Sequence, residues 1–468
     1  MLKVLDAQFS RPFLILALVE FCSLIISFYF GVMISWVNTP NIIELLTEYF
    51  LQATSFAAII AVSLFIMGLY EGLLAETFSS ILVRLGLAFC LGFAVLSAYF
   101  YVFPELSTWR SVTASALVIG FLVIATLHLV FMNLIDLSAF KKRCIVIGTG
   151  RQAACIQDLE GIGLAYGFTC LGFVVDGDQK PEVLPESIVE KTGSLLALVE
   201  TLKADEIVMA IEDRRNHLMM DELAECGFRG VPVIDYAKFW ERETKRTDLD
   251  ALTRNWILMA GSLPGGRFHH FAMRIFDLSV SIATLTFLLP VIVGASLAVK
   301  LGSAGPIFYR QDRVGLRGRP FELLKFRSME IDAESDGVPQ WSQENDNRVT
   351  MIGAFLRKLR IDELPQILNV LKGQMKFVGP RPERPYFVEQ LAKEIPFYMQ
   401  RFQVKPGITG WAQLNYPYGA SVRDARTKLE YDLFYIKNYS LLLDLMIVIQ
   451  TIRVVFWPIK MVDADVNS

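Results

Sequence analysis

The chain has 468 residues, 53% of them hydrophobic and 20% charged, with a formal net charge of −3. That apolar fraction exceeds the ~45–50% of ordinary soluble domains, and the charge excludes a protein that holds nucleic acid by bulk positive charge. With 31 glycines, 19 prolines and 6 scattered cysteines that form no CxxC or other metal spacing, collagen-like, disordered and disulfide-stapled classes are excluded too.

The hydrophobic excess sits in blocks. Four apolar runs, 12–36, 52–70, 85–103 and 112–135, fit bilayer spans. Even a 19-residue run makes about 28 Å of helix, close to the ~30 Å hydrocarbon core. The first run carries Glu20 and lacks a small-residue cleavage site, so it is read as a span and not as a cleaved signal. Trp36, Tyr70, Tyr99, Tyr101 and Trp109 suit interfacial belts. Glu20 and His128, inside the apolar runs, are read first as polar residues facing other helices and second as marks of a pathway. Lys3, Arg11, Arg84, Lys141, Lys142 and Arg143 flank one side, whereas the loop 37–51 has no basic residue and 104–111 only Arg110. Both ends of this four-helix unit are therefore expected in the cytoplasm.

Beyond Lys141 the sequence turns α/β. Arg-Cys-Ile-Val at 143–146 leads into Gly148-Thr149-Gly150, then a helix start, and a second strand near 171–175 ends in Asp176. Glycines in such a turn let backbone N–H groups approach a phosphate, and an acid after the second strand can hold a ribose. One reading is nucleotide binding; the other is a doubly wound, Rossmann-like scaffold that keeps only the turn. A membrane-anchored nucleotide-sugar dehydratase or epimerase would share this layout, but it needs Tyr-x-x-x-Lys, and no tyrosine here has a lysine four residues on.

The C-terminal third holds three chemical features. A fifth apolar run, 278–299, contains Pro290 and is basic on both flanks, with Arg254, Arg267 and Arg274 before it and Lys300, Arg310, Arg313, Arg317, Arg319, Lys325 and Arg327 after it. Proline bends a helix, and positive flanks on both sides suit a segment that enters and leaves by one face. Arg274 and Asp277, three residues apart, are placed to anchor its entry side. Second, Asp362-Glu363 precede Pro365, so a helix is expected from about Asp362 to Leu371. Paired carboxylates there can hold Mg²⁺ or attack phosphorus, and they can equally be a plain N-cap and first-turn acid. Third, Arg313, Lys325, Arg327, Arg357, Arg360 and Arg381 suit phosphates, or a basic face on anionic lipid.

The motifs KFRSM, DELPQ, NVLKG, VGPRPE and KPGITGWAQ occur in order over this third. It resembles the bacterial polyprenyl-phosphate sugar-phosphate transferases, and the whole layout resembles the large monotopic phosphoglycosyl transferases of exopolysaccharide assembly. The resemblance implies transfer of a hexose 1-phosphate from a UDP-sugar, glucose first and galactose second on family frequency, to undecaprenyl phosphate with release of UMP. It implies Asp362 as nucleophile forming a phosphosugar intermediate, Glu363 helping to hold Mg²⁺, and Pro380, Arg381 and Pro382 by the uridine end. It also implies Lys325 and Arg327 on the active-site surface and Pro290 at the breakpoint of a re-entrant hairpin, while Arg313 and Arg357 are expected to join them as substrate-binding cations. Arg360-Ile361 and Gln374-Met375-Lys376 depart from the family pattern and are expected to add positive charge beside the site.

The expected fold is membrane α plus α/β. Four transmembrane helices occupy 1–140, a Rossmann-like (CoA-binding-like) cytoplasmic domain 141–245 and a linker 246–270. A mostly helical catalytic domain follows over 271–468, with a re-entrant membrane helix hairpin at 271–301. The protein is placed in the bacterial inner membrane, multi-pass, with its catalytic domain on the cytoplasmic face. Its partners are a UDP-sugar, undecaprenyl phosphate and membrane lipids, and not nucleic acid; the spans and middle domain are left to stabilise, dimerise or regulate. A non-catalytic membrane scaffold remains the alternative of a different class.

Overall fold

The computed structural model describes residues 11–35, 42–70, 78–134, 141–161, 167–176, 180–191, 193–211, 219–252, 266–302, 304–330, 348–416, 419 and 421–456. They fall into a first unit ending at Glu243 and a second spanning Thr244–Ile459.

The first unit opens with α1 (Arg11–Ile34), a short α2 (Ile42–Glu48), α3 (Phe50–Ile66), α4 (Phe78–Val102) and α5 (Arg110–Leu134). Among these α1, α4 and α5 are long and apolar enough to cross a bilayer; α3 has 17 residues and falls short of the others. Large side chains such as Leu18, Phe30 and Val118 are exposed, as lipid-facing residues must be. Glu20 and His128 are fully buried between helices, with His128 Nδ1 3.1 Å from Glu20 Oε1. The Tyr70 hydroxyl donates to Glu20 Oε2 at 2.5 Å. Tyr70 is thus no interfacial residue, as the sequence had suggested: a buried carboxylate needs donors, and it recruits this hydroxyl. Arg84 is also corrected. It lies inside α4 and is buried rather than in a connection, because the helix begins at Phe78, seven residues before the apolar run. Trp36 lies outside the described residues.

The same unit then forms a four-stranded parallel sheet in the order β2-β1-β3-β4: β1 (Lys142–Ile147), β2 (Phe168–Val174), β3 (Glu206–Met209) and β4 (Val233–Asp235). Helices α6 (Arg151–Gly161), α7 (Leu195–Leu202) and α8 (Met220–Phe228) connect them, and α9 (Tyr236–Thr244) follows. Gly148 has φ +115°, and a Cβ there would stand 2.2 Å from the Ala210 carbonyl oxygen, so the turn after β1 admits only glycine. The carbonyl of Thr149 accepts from the Glu182 N–H at 2.7 Å, so the chain after β2 folds back over this turn.

The second unit is built around α10 (Arg267–Gly302), a 36-residue helix that holds Pro290 without being divided into two helices. Its middle is uncovered, with Phe287 82% exposed. An antiparallel pair β5 (Phe308–Val314) and β6 (Pro320–Phe326) is followed by α11 (Met351–Lys358) and a 3₁₀ turn Ile361–Glu363. Next come α12 (Gln366–Leu371), β7 (Lys376–Val378), α13 (Pro385–Glu394) and a 3₁₀ segment Tyr398–Gln403. The strand β8 (Gly407–Thr409) pairs in parallel with β7, and α14 (Trp411–Asn415), α15 (Val422–Lys437) and α16 (Leu441–Phe456) close the unit. The core joins Met273 of α10 to Phe387, Leu391, Leu433, Tyr435, Leu443 and Ile447. The apolar α16 is a core helix that the sequence reading had not assigned.

Arg274 and Asp277 do not pair with each other. Arg274 donates to the carbonyls of Val370 and Leu371 at 2.7 and 2.8 Å at the end of α12, the first of which also accepts from the Gly373 N–H. Asp277 accepts from the Phe377 N–H at 2.9 Å. At the other end of α10, Ala295 and Val299 pack on Phe326 and Leu356.

Candidate active site

The expected helix from Asp362 begins later. Pro365 has no N–H to give, and the regular helix starts at Gln366; Asp362 and Glu363 sit in the 3₁₀ turn before it. Arg360, just ahead, adopts a left-handed φ of +54°, which turns the chain out of α11 and into this corner. Thr350 caps α11 by accepting the Gly353 N–H at 2.9 Å. A Cβ on Gly353 would meet the Ser328 carbonyl oxygen at 2.0 Å, so α11 lies hard against the strand end after Phe326.

Asn369 fixes α12 to β6. Its Oδ1 accepts from Leu324 N–H at 3.1 Å and its Nδ2 donates to the Glu322 carbonyl at 2.7 Å. That register brings Lys325 Nζ to 3.0 Å from Glu363 Oε1, which also accepts from Arg381 Nη2 at 2.6 Å. Arg381 is carried by the segment after β7, and its Nη1 donates to Gln413 Oε1 at 3.0 Å.

These groups surround a cavity of about 650 Å³, within the range of small-molecule sites. Ten Lys/Arg line it against four Asp/Glu, so its wall is built for anions. Of the residues singled out from sequence, Arg313, Lys325, Arg327, Arg357, Arg360, Asp362 and Arg381 line it. Glu363 stands behind the wall, bonded to Lys325 and Arg381. Pro380 and Pro382 contribute carbonyls that accept from Gly407 N–H and Arg313 Nη1. Pro290, Arg274 and Asp277 belong to α10 and not to the cavity. Arg327 lines the wall, but its Nη1 donates to the Ala304 carbonyl at 2.8 Å and its Nη2 to Val299 at 3.5 Å, fastening the end of the membrane helix. The sequence reading missed Arg348, Arg384, Arg401, Lys428 and Asp432, which also line the cavity.

Burial, with the charge of Glu363 beside it, pushes the Asp362 carboxyl up; Lys325 and Arg357 oppose this. Glu363 is buried too, yet Arg381 and Lys325 hold it well below the usual carboxylate range. Burial pulls the Lys325 ammonium down, and Glu363 opposes. Glu363 is therefore a fixed counter-ion. Asp362 accepts no hydrogen bond among the described residues and faces the cavity. No cluster of three or more His, Cys, Asp or Glu gathers among those residues. Mg²⁺ takes as few as one or two carboxylates when substrate phosphate and water fill its shell; Asp362 offers one at the cavity, while the second oxygen of Glu363 lies 4.0 Å from Arg360 Nη1. Lys376 contradicts its expectation of adding charge here: its Nζ is buried against Asp444 at 2.7 Å, inside the domain and away from the cavity lining.

A family described as bacterial sugar transferase matches residues 268–458. The chain is 34% identical over 335 residues, 66% of this chain and 71% of the relative, to the UDP-glucose:undecaprenyl-phosphate glucose-1-phosphate transferase of Escherichia coli strain K12. It is 44% identical over 233 residues, 50% of this chain and 54% of the relative, to the UDP-N-acetylgalactosamine-undecaprenyl-phosphate N-acetylgalactosaminephosphotransferase of Aeromonas hydrophila. A UDP-glucose:undecaprenyl-phosphate glucose-1-phosphate transferase of Xanthomonas campestris pv. campestris is 41% identical over 196 residues, 42% of this chain and 40% of the relative. The chain thus spans about half the length of the Aeromonas protein and two-fifths of the Xanthomonas one. By the matched region and the extent shared with the E. coli relative, the chain belongs to the bacterial sugar transferase family.

Proposed function

We propose that the protein transfers a sugar 1-phosphate from a UDP-sugar to undecaprenyl phosphate. The observation that carries this reading is Asp362, a carboxylate that accepts no hydrogen bond among the described residues and faces a strongly cationic cavity. An Asp362 oxygen attacks the sugar-bearing phosphorus; the bond from that phosphorus to the bridging oxygen breaks, and UMP leaves with the electron pair. An oxygen of the lipid phosphate then attacks the same phosphorus, expels the Asp362 carboxylate and yields the lipid-diphosphate sugar. Lys325, Arg381 and Arg357 hold the substrate's anionic oxygens, and Glu363 keeps Lys325 and Arg381 in place. Mg²⁺, held by Asp362 and Glu363, would offset charge on the diphosphate. Glucose remains the first donor to test, and N-acetylgalactosamine joins galactose as a second because of the Aeromonas relative's name.

The setting in the membrane is part of the same reading. We read α10 as re-entrant: Arg274 near its start and Arg327 at its end both tie it to the one catalytic domain, while its apolar middle is uncovered. We read that domain as lying on the cytoplasmic face of the inner membrane, a reading supported by the lysine and arginine distribution. The parallel sheet of the first unit is read as a Rossmann-like scaffold. Release of UMP from a panel of UDP-sugars, with undecaprenyl phosphate and Mg²⁺, tests the proposal; no release from any donor sinks it.

A further inference from the structure

Two of the three residues in Pro380-Arg381-Pro382 have no N–H, so the segment is held through its carbonyls. Each carbonyl has its own donor: Gly407 N–H reaches Pro380 at 2.9 Å, Arg401 Nη2 reaches Arg381 at 3.1 Å, and Arg313 Nη1 reaches Pro382 at 3.0 Å. Arg401 is itself fixed on two further sides. Its Nη2 lies 2.8 Å from Asp432 Oδ2, with 6% and 2% of the two side chains exposed, and its Nη1 donates to the Tyr398 hydroxyl at 2.7 Å. Asp432 comes from the middle of α15 and Arg401 from the 3₁₀ segment, so the pair joins two elements behind a third. The Arg381 side chain, 41% exposed, points the other way, to Glu363 and Gln413 at the cavity wall.

We propose that Arg401 and Asp432 are positioning residues that lock the Arg381 backbone, so that its guanidinium meets the nucleotide-diphosphate half of a UDP-sugar. A buried ion pair adds little net stability compared with apolar residues of the same size. Its value here is geometric: the rigid guanidinium sets Nη2 between a carboxylate and a carbonyl while Nη1 meets the Tyr398 hydroxyl, a planar arrangement that a lysine ammonium does not reproduce. The inference rests on the transfer reading above. Under that reading the nucleotide half leaves as UMP before the lipid phosphate arrives, so a loosened Arg381 slows only the first half-reaction.

The test uses the full chain in nanodiscs, with Arg401→Lys, Asp432→Asn and the double variant. In a two-step exchange, kcat/KM for each substrate reports its own half-reaction. Each single variant should lower kcat/KM for the UDP-sugar by about tenfold, the scale of one charge-assisted hydrogen bond, and should weaken calorimetric binding of UDP. The value for undecaprenyl phosphate should stay within about twofold. The double variant should be no worse than the worse single one, since the two act as a unit. Equal losses for both substrates, or no loss in either single variant, would overturn the inference. Intersecting rather than parallel double-reciprocal lines in the unaltered protein would instead remove the covalent reading, and UDP affinity alone would then decide the positioning role.

Discussion

Lys376 Nζ lies 2.7 Å from Asp444 Oδ2, with 7% and 0% of the two side chains exposed. The other Asp444 oxygen accepts from the Tyr435 hydroxyl at 2.7 Å, and the Tyr439 ring lies 4.4 Å from the ammonium. The pair ties β7 to α16. Removing one member leaves an uncompensated charge in the core, so Lys376→Met should cost about 3–5 kcal/mol. Replacing both, with Asp444→Leu, should return most of that loss. Denaturant unfolding of the purified protein decides it; a single variant as stable as the parent would show that the pair contributes nothing.

Asp362→Asn should leave the fold intact, because the amide is nearly isosteric, and abolish turnover, with a loss on the order of 10³-fold or more. With UDP-sugar and Mg²⁺ but no lipid, the parent protein should carry a phosphosugar on the peptide containing Asp362. Mass spectrometry reads the adduct, and ordinary rates in the asparagine variant would take Asp362 out of the chemistry.

Stability should fall as pH rises toward neutrality. Burial pushes Glu430 up to about 7 and Asp432 to about 6, with Arg246 and Arg401 pulling each back. Unfolded, both titrate near ~4, so between about pH 4 and 7 the folded protein binds the extra protons. This contribution is complete below ~4 and lost as pH climbs through 6 to 7. Glu430→Gln should flatten the decline of Tm between about pH 5 and 8. An unchanged slope would assign the decline to other groups.

Pro290 should decide which side of the bilayer the catalytic domain occupies. A 36-residue straight helix would be about 54 Å long, more than a ~30 Å core requires. Pro290→Leu should shift some molecules to a spanning state and lower activity. A single cysteine at exposed Asp312, in a cysteine-free background, reports this by its reaction with an impermeant reagent on spheroplasts. Labelling of the parent protein from outside would refute the cytoplasmic placement.

The sequence made the apolar runs, the glycine turn and the Asp362-Glu363 corner legible, because span length, φ > 0 and charge density leave marks in residue order. It did not show where a cation's donors go. Arg327 was read as a phosphate ligand, yet two of its donors meet the carbonyls of Val299 and Ala304, groups that every residue possesses. Lys376 was read as positive charge beside the site because Asp444, its partner, is 68 residues away on a helix that looks merely apolar. Arg401 and Asp432 escaped for the same reason: nothing local ties a guanidinium after Tyr398 to a carboxylate in α15. Arg84 was misplaced because its helix starts at Phe78, ahead of the hydrophobic run.

Under the proposed transfer mechanism, Arg274 makes the position of Asp362 answer to the lipid. It stands on α10, read above as re-entrant in the bilayer, and grips the two carbonyls that end α12, a helix that begins four residues after Asp362. A tilt or slide of the membrane helix is passed by that clamp to the corner where Asp362 stands. On that reading, membrane thickness and the choice of detergent should change turnover while every side chain of the site stays intact.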